Sequence, residues 1–92
     1  AALDLGGREE LVGTLAALAA DPATPPVALV THHVEEIPPG FTHCLMLAGG
    51  RVTAAGPLGE VLSSRALSDC YGLDLRLSTG AGRWTVRVAP GP

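Results

Sequence analysis

Val27-Ala28-Leu29-Val30-Thr31-His32-His33-Val34-Glu35-Glu36-Ile37 is the stretch whose reading decides the fold. Residues 27–31 form a short continuous apolar run, the pattern of a strand covered on both faces, as in parallel sheets. The run breaks off at two histidines and two glutamates, and Pro38-Pro39-Gly40 leaves room only for a short helix over residues 34–37. An imidazole just past the carboxyl end of such a strand lies where open α/β sheets bind their ligands. From there His32 can donate to a phosphate oxygen or orient a water; equally, it can cap the strand through a backbone hydrogen bond.

Upstream, Leu11, Leu15 and Leu18 recur at steps of four and three, which predicts a helix over residues 8–20 with these leucines on one face. Asp4 suits its N-cap, and Glu9 and Glu10 would place negative charge in its first turn, where the helix dipole favours it. Asp21-Pro22 and Pro25-Pro26 then stop the helix and form a stiff connector. Downstream, Cys44-Leu45-Met46-Leu47-Ala48 and Arg51-Val52-Thr53-Ala54-Ala55 flank Gly49-Gly50, the strongest hairpin signal in the chain. Gly56-Pro57 closes that hairpin and opens a helix over residues 58–62. Ser63 or Ser64 caps a further helix over residues 65–71, which Gly72 ends. Residues 73–77 and 84–88 alternate in period two around Thr79-Gly80-Ala81-Gly82, a second hairpin, and Pro90-Gly91-Pro92 is expected to fray. The expected fold class is therefore α/β: a parallel strand with helices, followed by β-hairpins.

Composition narrows the function. The chain has 92 residues, six cations that are all arginine, nine Asp and Glu, and a net charge of −3. A chain this short buries roughly 60–70% of its unfolded surface, enough for one modest core. Six scattered arginines give no basic face for a run of phosphates or an anionic bilayer, which argues against nucleic acid and membrane-surface partners. The longest apolar stretch, Leu15-Ala16-Ala17-Leu18-Ala19-Ala20, is far short of the roughly 20 residues of a membrane span. Without lysine the chain cannot supply the ammonium of a phosphate-cradling P-loop. Cys44 and Cys70 lie far apart with no Cys-x-x-Cys spacing, which favours two reduced thiols and a reducing compartment. The opening residues carry no signal-peptide pattern, and the chain reads as cut from something longer.

Residues 30–37, from the end of the apolar run through Thr31-His32 and Glu35-Glu36, resemble the switch-histidine segment of ABC-type ATPases. Ala1-Ala2-Leu3-Asp4 resembles that family's D-loop, and Leu45-Met46-Leu47-Ala48-Gly49-Gly50-Arg51-Val52 with Gly56 resembles its hairpin. Gly56-Pro57-Leu58-Gly59-Glu60-Val61-Leu62 is similar to the Gly-x-x-x-Glu-Val-Leu segment that follows. The order and spacing of these motifs over residues 1–65 carry the match. The resemblance implies that His32 is the switch histidine, contacting the γ-phosphate of ATP and the attacking water. It also implies that Asp4 is the D-loop acid, acting across a dimer with a second nucleotide-binding domain. Ala1 stands where the family has serine, and His33 where it has aspartate, so His33 receives no catalytic role.

The same resemblance implies that residues 1–72 are the C-terminal portion of a P-loop NTPase nucleotide-binding domain and residues 73–92 a hairpin extension and tail. The P-loop, the signature motif, the Walker B aspartate and the catalytic glutamate would lie upstream. ATP and Mg²⁺ would then be held mainly by that portion, leaving this chain inactive as an ATPase by itself. Transmembrane permease subunits are the implied partners, on the cytoplasmic face of the cell membrane.

Two rival readings rest on the residues alone. His32, Glu36, His43 and Cys44 could be assembled into a metal site, although their spacing lacks the paired ligands of structural zinc and Glu35-Glu36 suits a solvated helix face. A small non-enzymatic interaction module is the other, with a strand of the second hairpin offered to a partner. Trp84 and the Leu11/Leu15/Leu18 stripe suit a core, Cys44 a small buried hydrophobe, and Arg51 an exposed turn.

Overall fold

The computed structural model describes residues 4–90. Its elements are α1 (Leu5–Ala20), a 3-10 helix (Val34–Glu36), β1 (His43–Ala48), β2 (Arg51–Pro57), α2 (Leu58–Val61), α3 (Ser64–Tyr71), β3 (Leu75–Gly80) and β4 (Arg83–Val88). The described residues divide into two compact units, 4–41 with 79–84, and 42–78 with 85–90.

In the first unit, Asp4 caps α1 as its sequence position suggests: the Gly7 N–H donates to Asp4 Oδ1 at 2.7 Å. Because the helix starts at Leu5 rather than near Arg8, Glu9 and Glu10 fall in its second turn and its first turn holds no acid. The expected leucine stripe is also corrected. Val12 is the buried residue of α1, Leu11 and Leu15 are half-buried, and Leu18 is exposed. Alanines and leucines surround this helix, so the leucine spacing does not select one face.

The strand expected over residues 27–31 does not form, and no parallel pairing exists among the described strands. Residues 25–31 belong to no ladder, and Val30 is 94% exposed. An apolar run can be a covered parallel strand only where neighbouring strands take up its N–H and C=O groups. The described chain provides none beside it. The short helix over residues 34–37 does form, as the 3-10 turn Val34–Glu36 with Ile37 at its C-cap, and Pro38 after that is fully buried.

In the second unit both strands of the first hairpin match expectation. β1 and β2 pair antiparallel, from His43 opposite Pro57 to Ala48 opposite Arg51, around Gly49-Gly50. Those two glycines have φ of 58° and 75°, the doubly left-handed pair that matches the twist of a tight hairpin. The register shifts between Met46 and Leu47, so Thr53 is the extra residue of a bulge, and its hydroxyl donates to the Met46 carbonyl at 3.4 Å. Burial along β1 alternates: Met46 is buried, Cys44 and Ala48 half-buried, Leu45 and Leu47 exposed.

α2 packs on β1 and β2, and α3 on β1. Ser63 caps α3 by accepting from the Ala66 N–H at 3.0 Å, and Gly72 ends it in the left-handed region. Met46, Leu62, Leu67 and Leu75 are the buried apolar side chains of this unit. The Ser64 and Ser68 hydroxyls accept from the Leu77 and Leu75 N–H groups, tying the start of β3 to α3. β3 and β4 make the second hairpin, but its turn is Ala81-Gly82 rather than the expected Thr79-Gly80-Ala81-Gly82, because Thr79 and Gly80 extend β3, which runs from Leu75 rather than from residue 73. Trp84 is half-buried, Arg51 is exposed, and Cys44 and Cys70 are free thiols. Burial pushes the Cys44 thiol above its ordinary range, so it stays protonated and unreactive at neutral pH.

Candidate functional site

The site is built around the turn that carries His32, and all its residues lie in the first unit. His32 is exposed and stands one residue before the N-cap His33, two residues ahead of the 3-10 helix. Thr31 shapes the turn. Its hydroxyl oxygen accepts from the His33 N–H at 3.0 Å, closing a local side-chain turn around His32. The same hydroxyl has one proton and two acceptors in reach: the Glu36 carboxylate at 2.5 Å and the His33 carbonyl at 3.4 Å. The shorter, charge-assisted bond to Glu36 dominates.

Glu36 also accepts from Arg8 Nε at 3.3 Å, an ion pair whose side chains are 22% and 14% exposed. Backbone bonds from Glu36 N–H to His33 C=O and from Ile37 N–H to Val34 C=O complete the turn. Thus Glu36 is no solvated helix-face residue; it connects α1 to the histidine turn. Glu35 contributes its carbonyl, which accepts from Arg83 Nη2 at 2.6 Å. Arg83 in turn grips Glu9 of α1 with both ends of its fork, at 2.6 and 2.8 Å.

The Thr31 hydroxyl bond, followed by the charges of Arg8 and His33, holds the Glu36 carboxyl below the ordinary glutamate range against its partial desolvation. The Arg83 hydrogen bond does the same for Glu9, and Glu9 raises the Arg83 guanidinium in return. A carboxyl depressed on folding stabilises the native state above its unfolded pKa, and that contribution is lost as pH falls through the lower folded value. We expect the chain's thermal midpoint to drop on acidification below about pH 4.3, the ordinary glutamate value. Glu36→Gln should show a smaller drop between about pH 6 and 3. Equal drops in the two proteins would show that Glu36 is not part of this dependence.

Of the sequence-derived site residues, His32 is displayed at the turn, while Asp4 Oδ1 is engaged in the α1 cap. Ala1, Ala2 and Leu3, the remainder of the D-loop-like segment, lie outside the described residues, as do Gly91 and Pro92. Among the described residues no group of three or more His, Cys, Asp or Glu side chains comes together to hold a metal. Thr31, Arg8, Glu9 and Arg83 were not marked by spacing as site residues. Their partners lie 28 and 74 positions away along the chain for the Arg8–Glu36 and Arg83–Glu9 pairs, beyond any local pattern.

Known proteins are similar to this sequence over about 70% of its length. An ABC transporter ATP-binding protein of Streptococcus mutans is 35% identical over 69 residues, 75% of this chain and 26% of that protein. The ABC transporter ATP-binding protein YlmA of Bacillus subtilis is 39% identical over 66 residues, 72% of this chain and 25% of its own length. The molybdenum import ATP-binding protein ModC of Aromatoleum aromaticum is 41% identical over 63 residues, 68% of this chain and 16% of its own. The chain belongs to the ABC-type ATPase family. It spans about a quarter of the length of the first two relatives. No protein-family model matches it. No described helix is long and apolar enough to cross a membrane.

Proposed function

We propose that this sequence serves as the switch-histidine and hairpin segment of the ATP-hydrolysing subunit of an ABC transporter. The observation that carries the reading is His32, exposed at a turn that Thr31 and Glu36 hold in place, in a chain whose relatives are ABC transporter ATP-binding proteins. In this role the His32 imidazole touches the γ-phosphate and the attacking water. Phosphoryl transfer is mostly positioning and electrostatic stabilisation, so one well-placed donor acts without a covalent intermediate.

Asp4 acts as the D-loop acid toward a second nucleotide-binding domain, and its bond to Gly7 ties that carboxylate to the start of α1. Residues 1–72 are the nucleotide-binding-domain portion and residues 73–92 a hairpin extension. The family resemblance assigns ATP and Mg²⁺ mainly to the P-loop and Walker B parts of the domain, where the ion would neutralise phosphate charge. Permease subunits are the partners, and the subunit works at the cytoplasmic face of the membrane.

The chain contains no lysine for a P-loop, so the 92 residues alone are expected to release no phosphate from MgATP above background. A phosphate-release assay on wild type and His32→Ala checks this. Turnover by the chain that disappears in His32→Ala would mean that these residues hold a complete catalytic site, contrary to the proposal.

A further inference from the structure

We infer that Arg83, from the C-terminal hairpin, is a positioning residue for the His32 turn: it spans Glu9 of α1 and the Glu35 carbonyl and thereby holds the 3-10 helix that follows His32. The geometry is specific. Both terminal nitrogens of the fork engage Glu9, and Nη2 donates a second time, to Glu35 C=O at 2.6 Å. Arg83 Nε is buried and has no hydrogen-bond partner among the described residues, so the base of the fork is shielded from solvent.

Two consecutive residues of α1 thus act on two consecutive residues of the turn. Arg8 holds the Glu36 side chain directly, and Glu9 holds the Glu35 backbone through Arg83. Neither hold alone fixes a three-residue 3-10 helix, which has few internal bonds and poor hydrogen-bond geometry. Together they restrain it from a side chain and from the main chain. The catalytic consequence rests on the switch-histidine reading of His32; the restraint itself does not.

The ion pair is partly exposed, at 26% for Arg83 and 48% for Glu9, and such pairs add little to global stability. Its effect is therefore local. The test is amide hydrogen exchange on the full chain for wild type, Arg83→Gln, Glu9→Gln and Arg87→Gln. The last removes an equal charge from the same hairpin, where Arg87 donates to the Ser78 hydroxyl at 3.3 Å.

Arg83→Gln should speed exchange at the Glu36 and Ile37 amides by about tenfold, the loss of roughly one charged hydrogen bond. The thermal midpoint should move by only about 3 °C or less. Glu9→Gln should give a smaller change in the same amides, and Arg87→Gln none. Unchanged exchange in both Arg83→Gln and Glu9→Gln overturns the inference.

Turnover of the ATP-binding subunit containing this sequence supplies the second measurement, with His32→Ala as reference. Arg83→Gln should lower kcat about three- to tenfold at unchanged KM, with partial recovery in Arg83→Lys, which keeps the charge but not the fork. Where His32→Ala lowers kcat and Arg83→Gln does not, the positioning role is refuted although the switch-histidine reading stands. Where His32→Ala has no effect but exchange rises in Arg83→Gln, the restraint is supported and it is the switch-histidine reading that fails.

Discussion

Replacing His32 by alanine in the ATP-binding subunit containing this sequence is expected to lower kcat for ATP hydrolysis by about 10²–10³, with ATP affinity changed no more than a few-fold. The size follows from removing one preorganised donor aimed at charge that develops in the transition state. The small effect on affinity follows because ground-state phosphates are held by other groups, so a contact strengthened only at the transition state appears in kcat. His32 is exposed in a turn whose Thr31–Glu36 and Thr31–His33 bonds are made by other residues. Steady-state turnover together with equilibrium ATP binding separates the two quantities. Equal turnover in wild type and variant removes His32 from the mechanism; a loss confined to binding assigns it to ground-state recognition instead.

Leu67→Ala should cost about 3 kcal/mol of folding stability, within the usual range for truncating a buried leucine. Leu67 is 4% exposed on α3, the helix that packs on β1, and the second unit has few other buried apolar side chains. For a chain of this size that loss lowers the thermal midpoint by roughly 10–20 °C, a large share of the stability of an ordinary small domain. Leu45→Ala is the matched control: the same truncation on β1, at a side chain 59% exposed, should change stability by no more than about 0.5 kcal/mol. Thermal unfolding followed by circular dichroism compares the two. Similar shifts in both would mean that α3 against β1 is not where this unit's stability lies.

The elements that sequence reading found share a cause. Asp4 capping α1, Ser63 capping α3 and the Gly49-Gly50 turn are all interactions between residues a few positions apart. Local geometry decides them, and the residue types required are few. The motifs resembling ABC-type ATPases belong with these, because the spacing within each is short. The match to known ATP-binding proteins then shows the family.

The errors share a cause as well. Residues 27–31 carry the composition of a parallel strand, but a strand exists only with a neighbour, and none stands beside them in the described chain. Along α1, Leu11, Leu15 and Leu18 sit among other apolar residues, and the buried one is Val12. Glu36 looked like a surface acid because its partners, Arg8 and Thr31, are assembled by the fold.

The sequence by itself determined the two helix caps and the Gly49-Gly50 turn, since each needs only neighbouring residues. Tertiary structure alone decided that Glu9, Arg83 and Glu35 would meet, and that Arg8 would reach Glu36. Charged partners far apart in a chain are chosen by the packing that brings them together, and no spacing rule encodes that choice.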